Sequence, residues 1–584
     1  MVSRKEDGIM LENLTLWQDR LSEDSPWKKD FLPLAEGQIL QLHSQGNILR
    51  NSAQIFLAPG AEIKGILHSI LQGPLWIFAG VSVYQSFVQE SVLEEGVKIS
   101  SCPQVRSSVL LRGTRLRGVE ADCPEGSDLS LRRTISLGLE QGRRQLVLHP
   151  EHTLGTVEEL QELGPVSMKL PVDFNVIGPE ASLEGGGRFS GVYFAEGVRA
   201  QGCAEVRNCI VLSTLQEPSH LGPQVILRNS ILQSGVVLDS GALVESSLLL
   251  EHSGAGRQAR LSESVLGPNT EVAQGEVTAS FLGPFVGFHH QSLLIAAWWP
   301  KGRGNVASGA QVGSNHTSRA PDQGIRIGEG VFFGLGTIIK FPAVWDEAPY
   351  SVVASGLTTL PQKVELPFSV LIARPTVLDG YSGGEAEENR IIPGWVLDQN
   401  TYALFRNEGK FLSRNTATQH EFDFRLFRHE IVEKLWKASE KLGELSGKPV
   451  YNSIDWLGLG QNILLESDRL KAIEVYREWI QYAALQAYIQ GLLSGENHRE
   501  EWPRFYFPKI GLDWANQTGN IRRYLDQRKK VMQKVLDSKL KDEKRGIQIE
   551  SDYGDWHYLA REDGFIQALK EQIEKEEESL SLFL

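Results

Sequence analysis

Between Val225 and Leu261 the apolar residues return at every sixth position: Val225, Ile231, Val237, Leu243, Leu249, Ala255 and Leu261 share one phase. A helix of 3.6 residues per turn would carry side chains at that spacing around its axis, and a lone strand alternates with a period of two. A coil of short flat strands instead brings every sixth side chain to an equivalent place against one core. The same interval joins Leu57 to Ile63, Ile77 to Val83, Leu93 to Ile99, Val306 to Val312, and Ile327 to Phe333 and Ile339. Glycine stands beside the apolar position in PGAEI (59–63), AGVSV (79–83), EGVKI (95–99) and GEGVFFGLGTII (328–339), where such a coil must bend. The pattern predicts a mainly β fold, a single-stranded parallel β-helix of hexapeptide repeats over residues 40–377, with three hexads to a coil.

The phase is lost at about 115–182, read as an irregular insertion. Within it HTLGTVEELQELG predicts a short helix that starts at Thr156, ahead of the acidic turn of VEELQEL. Residues 1–39 form an N-terminal segment, partly helical. After LDGYSGGEAEENR (378–390) the spacing changes to three and four, as in RLFRHEIVEKLWKASEKLGEL and IRRYLDQRKKVMQKVLDSKLKDEKR, so 390–584 is expected to be an α-helical C-terminal region. Its expected use is to cap the edge of the last coil, with partner binding or substrate coverage as the alternative. GLGQN (458–462) lacks the strand and spacing of a dinucleotide loop and is assigned to a turn.

Composition narrows the function classes. A net charge of -14 argues against a general binder of nucleic acid or anionic membrane, although a local basic groove stays open. Every short apolar stretch near the N-terminus is broken by charge, and no long uncharged apolar run exists, so neither a signal peptide nor membrane insertion is expected. Cys102, Cys123, Cys203 and Cys209 form no C-x-x-C pair and have no close histidine. They read as reduced thiols of a cytoplasmic protein, with no metal site.

Candidate chemistry gathers in GPFVGFHHQSLLIAAWWPKGRGNVASGAQVGSNHTSR (283–319), where histidines, tryptophans and cations interrupt an otherwise aliphatic repeat. The hexads resemble the LpxA-like hexapeptide-repeat transferases. The order of features in 277–356 is similar to the acetyltransferase part of bifunctional N-acetylglucosamine-1-phosphate uridyltransferase / glucosamine-1-phosphate acetyltransferase: a histidine opens a coil, an asparagine loop follows, then hexads like IGEGVFFGLGTII and APYSVVASGLTTL. More of the chain, including NEGKFLSRNTATQHEFDFRLFR (407–428), resembles an uncharacterised bacterial family labelled as related to that pyrophosphorylase.

The resemblance implies a left-handed coil and a homotrimer. It also implies His290, with His289 next, as the base that takes a proton from an amine or hydroxyl attacking an acyl thioester. By position, Asn315, His316, Arg319, Trp298 and Trp299 are candidates to contact substrate. Lys301, Arg303, Arg326 and Lys340 could meet phosphates of a sugar phosphate or of coenzyme A. WWPKGRG stands where that family has a plain coil, and the glycine-rich signature of the nucleotidyltransferase domain is absent, which argues against uridyl transfer.

Plain structural roles compete with these assignments. The two histidines also fit one inward and one exposed residue at a coil corner, and the tryptophans also fit packing against a neighbouring subunit or the helical tail. The expected function is acyl transfer, with acetyl-CoA or another acyl-CoA as co-substrate and no permanently bound cofactor, to an amino sugar or sugar-nucleotide. The alternative is a non-catalytic scaffold or a sugar-nucleotide-binding protein.

Overall fold

The computed structural model describes residues 26–124, 133–138, 144–164, 174–313, 324–374, 388–494, 500–557 and 559–584. The chain forms a parallel β-solenoid of about 17 turns followed by a region of several helices. It divides into two compact units, Met1–Ile325 with Thr416–His420, and Arg326–Asn415 with Glu421–Leu584.

In the first unit each coil stacks directly on the last. Leu227, Val244, Leu261, Val277, Leu294 and Val312 are partners in one inward column. Leu232, Leu249, Leu266, Leu282 and Trp299 form the second, and Leu221, Leu238, Ala255, Val272, Phe288 and Val306 the third. From Leu227 the inward positions step by five to Leu232, by six to Leu238 and by six to Val244, so this coil is 17 residues long and not 18. The strict six-residue phase therefore drifts across the core. Val237 is 46% exposed and Leu243 half-buried, while Leu249, Ala255 and Leu261 point inward. The five-residue step corrects the expectation of three hexads to a coil.

That short step is a corner where non-glycine residues take positive φ: Asn229, Ser246, Glu263, Ala279 and Ala296 recur on successive coils. The strain is local, of the kind left-handed residues carry. It is met by a column of buried hydroxyls next to it. Ser230 Oγ donates to Arg228 O (2.7 Å) and accepts from Ser247 N (3.1 Å), and Ser247, Ser264 and Ser280 repeat the pattern, ending at Ala297 N. Each buried amide there has a partner, as burial demands.

The insertion is shorter than the lost phase suggested. Arg115–Arg117 and Glu120–Asp122 still pair in the coils, which resume at Asn175–Ile177. In between, Thr134–Ser136 and Gln145–Val147 form a hairpin, and Leu154–Glu158 a short helix. The N-cap is Thr153 and not Thr156: Thr153 Oγ1 accepts from Thr156 N (3.3 Å) while Thr156 Oγ1 accepts from Thr153 N (2.8 Å). This arm lies over an outward apolar ladder of the solenoid that runs Val92, Val109, Val176, Tyr193, Ile210, Ile231, Leu248, Val265, Phe281 and Trp298. Ile135, Leu137, Leu146, Leu148 and Val157 of the arm bury it. At about 1.5–3 kcal/mol for each large apolar side chain withdrawn from water, that contact fixes the arm.

In the second unit the coil strand Val370–Ala373 is covered by Asn389–Ile392, which runs antiparallel to it. That strand's edge is thus satisfied by strand pairing, and next to it Val396 N, at the start of the helix Trp395–Gln399, donates to Phe368 O (2.9 Å). Asn389–Ile392 also pairs with Asn462–Leu465, which leads into the long helix Glu466–Ser494. GLGQN falls on the short 3-10 helix Leu457–Leu459, the positive-φ Gly460 and the start of that strand. Helices Thr401–Arg414, His429–Glu444, Gln517–Ile549 and Gly564–Ser581 complete the unit. Trp479 stacks on Phe427 at 5.2 Å at its apolar centre. Beside it Arg528, 3% exposed, donates to Glu576 at 3.0 Å and 3.3 Å and to the Tyr482 hydroxyl at 3.2 Å. No helix among the described residues is long and apolar enough to cross a membrane.

Candidate functional site

The strand Gly287–Phe288 turns Phe288 into the core, and alternation then places His289 outside it; His289 and His290 are both exposed. Their rings lie 6.5 Å apart. His289 N donates to Val306 O (2.9 Å) and Gly309 N to His290 O (3.0 Å), so backbone pairing with the next coil fixes both residues. The Asn305 side-chain amide meets His289 Nε2 at 3.1 Å. With the amide nitrogen toward the ring Nε2 accepts and Nδ1 carries the proton; the flipped amide reverses the tautomer. Gly287 makes this contact possible: a Cβ there would lie 2.9 Å from Asn305 Nδ2 and 3.7 Å from His289 Nε2.

The other predicted residues are differently placed. Trp299 is fully buried in the core column, so its indole packs and cannot meet a substrate there. Trp298 points outward into the contact with the arm, edge-on to Phe281 at 5.3 Å, with the Arg144 guanidinium 4.6 Å from its ring centroid. Lys301 Nζ is 3.3 Å from Glu158 Oε2 on the short helix of the arm. Arg303 takes a positive φ of 57° at the turn and its N–H donates to Pro284 O (2.7 Å). Arg326, 3.4 Å from Asp346, and Lys340 belong to the second unit. Asn315, His316 and Arg319 lie outside the described residues. Among the described residues no group of three or more metal-ligating side chains is placed to hold an ion. The four cysteines are buried free thiols, and burial pushes Cys203 and Cys209 up to about 12.

A second polar cluster in the first unit is absent from the sequence reading. Glu251, with no exposed side-chain surface, accepts from Thr418 N (2.9 Å), Gln419 N (3.1 Å) and His420 Nδ1 (2.5 Å). Leu154 N donates to His420 Nε2 (3.1 Å), which assigns the ring proton to Nδ1. One coil earlier Gln233 accepts from Glu251 N (3.1 Å) and donates to Pro150 O (3.0 Å) and His152 O (2.7 Å). Burial raises the Glu251 carboxyl, but the bonds from His420, Thr418 and Gln419 outweigh it and hold the group below its ordinary range. Both imidazole nitrogens of His420 are occupied, so the pair fastens Thr416–His420 and the arm to the solenoid and has no lone pair directed at a substrate. The signal for it is present in LLLEHSG (248–254), where a carboxylate follows three buried leucines.

An uncharacterized protein of Treponema pallidum (strain Nichols) is similar to this chain, 27% identical over 283 residues that make up 47% of this chain and 36% of the relative. The matched part thus spans little more than a third of that protein. Residues 151–446, just over half of the chain, match a family model that takes in the outward ladder beyond Val109, His289, Asn305, Glu251 and His420. The chain therefore belongs to the family described as a domain of unknown function (DUF4954).

Proposed function

We propose that the chain is an acyltransferase of the LpxA-like, left-handed hexapeptide-repeat kind, moving an acyl group from a coenzyme A thioester to an amine or hydroxyl of an amino sugar or sugar-nucleotide. The observation that carries this reading is the exposed His289–His290 pair with the Asn305 amide on His289 and Gly287 clearing the space between them. An imidazole held in one orientation at the surface suits a general base near neutral pH. In the reaction the base takes the proton of the attacking amine, a C–N bond forms at the thioester carbonyl, the C–S bond breaks, and the thiolate leaves and is protonated. The exposed pair needs a second wall, which a neighbouring copy in a cytoplasmic homotrimer supplies.

A second reading is a scaffold or sugar-nucleotide-binding protein without turnover. The contacts of Trp298, Trp299, Lys301 and Arg326 inside the chain favour it, because they commit four of the predicted ligand contacts to structure. Acyl transfer from acetyl-CoA to glucosamine 1-phosphate and UDP-amino sugars, with titration calorimetry of the same compounds, separates the two. Turnover that His290→Ala or His289→Ala abolishes with folding intact supports the enzyme. Binding without turnover supports the second reading, and turnover unaffected by either substitution removes both histidines from the base role.

A further inference from the structure

On one outward face of the first unit the strands Lys98–Ser100, Arg115–Arg117, Ser182–Glu184, Arg199–Gln201 and His220–Leu221 lie side by side. Their central residues Ile99, Leu116, Leu183 and Ala200 are buried, so the flanking residues point away from the core. One column then reads Lys98, Arg115, Ser182, Arg199, His220, and the next Ser100, Arg117, Glu184, Gln201. Lys98, Arg115, Arg117, Arg199 and His220 are all exposed, and among the described residues none has a carboxylate partner.

Like charges on adjacent rungs of one face repel. Elsewhere on this solenoid the conflict is avoided: Arg106 has Asp122 at 2.6 Å, and Arg228 lies between Glu205 at 2.8 Å and Glu245 at 3.0 Å. In a chain of net charge -14, Lys98, Arg115, Arg117 and Arg199 together on one face without a carboxylate partner among the described residues mark a place where an anion is meant to come. Whole-protein repulsion is screened within about 8 Å at physiological salt, so the local charge decides.

The stripe also has a shape. At a strand spacing of about 4.8 Å it is about 19 Å long from Lys98 to His220 and only two side chains wide. Glu95, Glu180 and Glu196 stand at the turns leading into three of these strands, and Asp239 and Glu271 follow beyond His220. A flat anionic membrane would meet that acidic rim as well as the stripe; a linear chain lying along the rungs would not. The five strands carry no Phe, Tyr or Trp, and exposed Tyr84 stands only at one end, beside Ser100, so the face lacks the succession of large rings on which single-stranded nucleic acids stack. Arg115 and Arg199 are separated by Ser182, and Ser182 Oγ donates to Glu184 (2.9 Å) between Arg117 and Gln201. A carboxylate in the stripe repels a polymer with an anion at every step, yet accepts a hydrogen bond from a hydroxyl.

We propose that this face binds an acidic polysaccharide whose carboxylates are spaced by neutral sugars, the carboxylates on Arg115, Arg117 and Arg199 and the hydroxyls on Ser182, Glu184 and Gln201. The inference is independent of the acyl-transfer reading.

Titration calorimetry of the full chain with a hyaluronan decasaccharide tests it. The expected result is binding that weakens with salt and falls at least about tenfold in the Arg115→Glu, Arg199→Glu double variant with an unchanged circular dichroism spectrum. Without ligand, Arg115→Gln is expected to raise the melting temperature, because it relieves repulsion from Lys98. Absence of binding, equal binding of a neutral chitooligosaccharide, or tighter binding of poly-L-glutamate or polyphosphate would each overturn the proposal. So would an affinity indifferent to the double substitution, or a lower melting temperature in Arg115→Gln, which would give that arginine a structural role.

Discussion

The Nδ1–H of His420 donates to the buried carboxylate of Glu251 across 2.5 Å, joining residues 169 positions apart in the chain. With the two backbone bonds from Thr418 and Gln419, it secures the segment that returns to the first unit from among residues of the second.

Glu251→Gln is expected to cost about 2–3 kcal/mol of local stability, because an amide has a single acceptor oxygen and its NH2 would face a buried donor left unmatched. Hydrogen exchange at the Thr418 and Gln419 amides reads this directly, as faster exchange in the variant. The carboxyl lies below its ordinary value of 4.5 in the fold, so its contribution is complete above 4.5 and is lost as pH falls through the lower folded value. Protection at these two amides, corrected for intrinsic exchange, should hold from neutral pH to about 4.5 and decline below it in the natural chain. The glutamine variant should show no such decline.

Gly287→Ala tests how the exposed histidine is held. Gly287 has no positive φ, so the added methyl acts only by displacing the Asn305 amide from His289. The melting temperature should change little, equivalent to less than about 1 kcal/mol. Acyl transfer should fall as far as in Asn305→Ala, and a wild-type rate in both variants would detach the amide from function.

Adjacent tryptophans should behave differently. Trp299→Ala empties a core column and is expected to destabilise the solenoid by about 3–5 kcal/mol. Trp298→Ala should instead loosen the arm, visible as proteolysis and exchange within residues 133–148 ahead of global unfolding. Arg144→Ala should reproduce a weaker version, about 0.5–1 kcal/mol, through its contact with the Trp298 ring.

In the helical unit, Arg528→Met should cost about 3–5 kcal/mol by leaving the Glu576 carboxylate without its main partner. Adding Glu576→Leu should recover most of that loss in a denaturant titration, because an apolar pair of similar volume fills the same space.

The solenoid was legible because apolar periodicity is a local property, and Leu249, Ala255 and Leu261 do face the core. The coil length was less so: Ile231 and Leu232 are both buried, one under the arm and one in the core, so burial on two sides hides which of them keeps the count. The arm was legible only as a gap, since its apolar residues answer an outward ladder that becomes visible once the coils are stacked. His289 and His290 stood out by type, whereas the link from Glu251 to His420 depends on a return of the chain that no spacing encodes. Trp298 and Trp299 look alike in sequence and are divided only by the direction of one strand.

The serine column has a consequence for how such a chain can change in length. From Ser230 to Ser280 each coil offers its successor a hydroxyl acceptor, so duplicating residues 231–247 would reproduce a finished interface at both junctions. Losing one residue inside a strand would exchange inside for outside along it, whereas the corners absorb such a change: the coil from Leu261 to Val277 is 16 residues long and that from Leu294 to Val312 is 18, so length can vary at the turns while the paired strands keep their register.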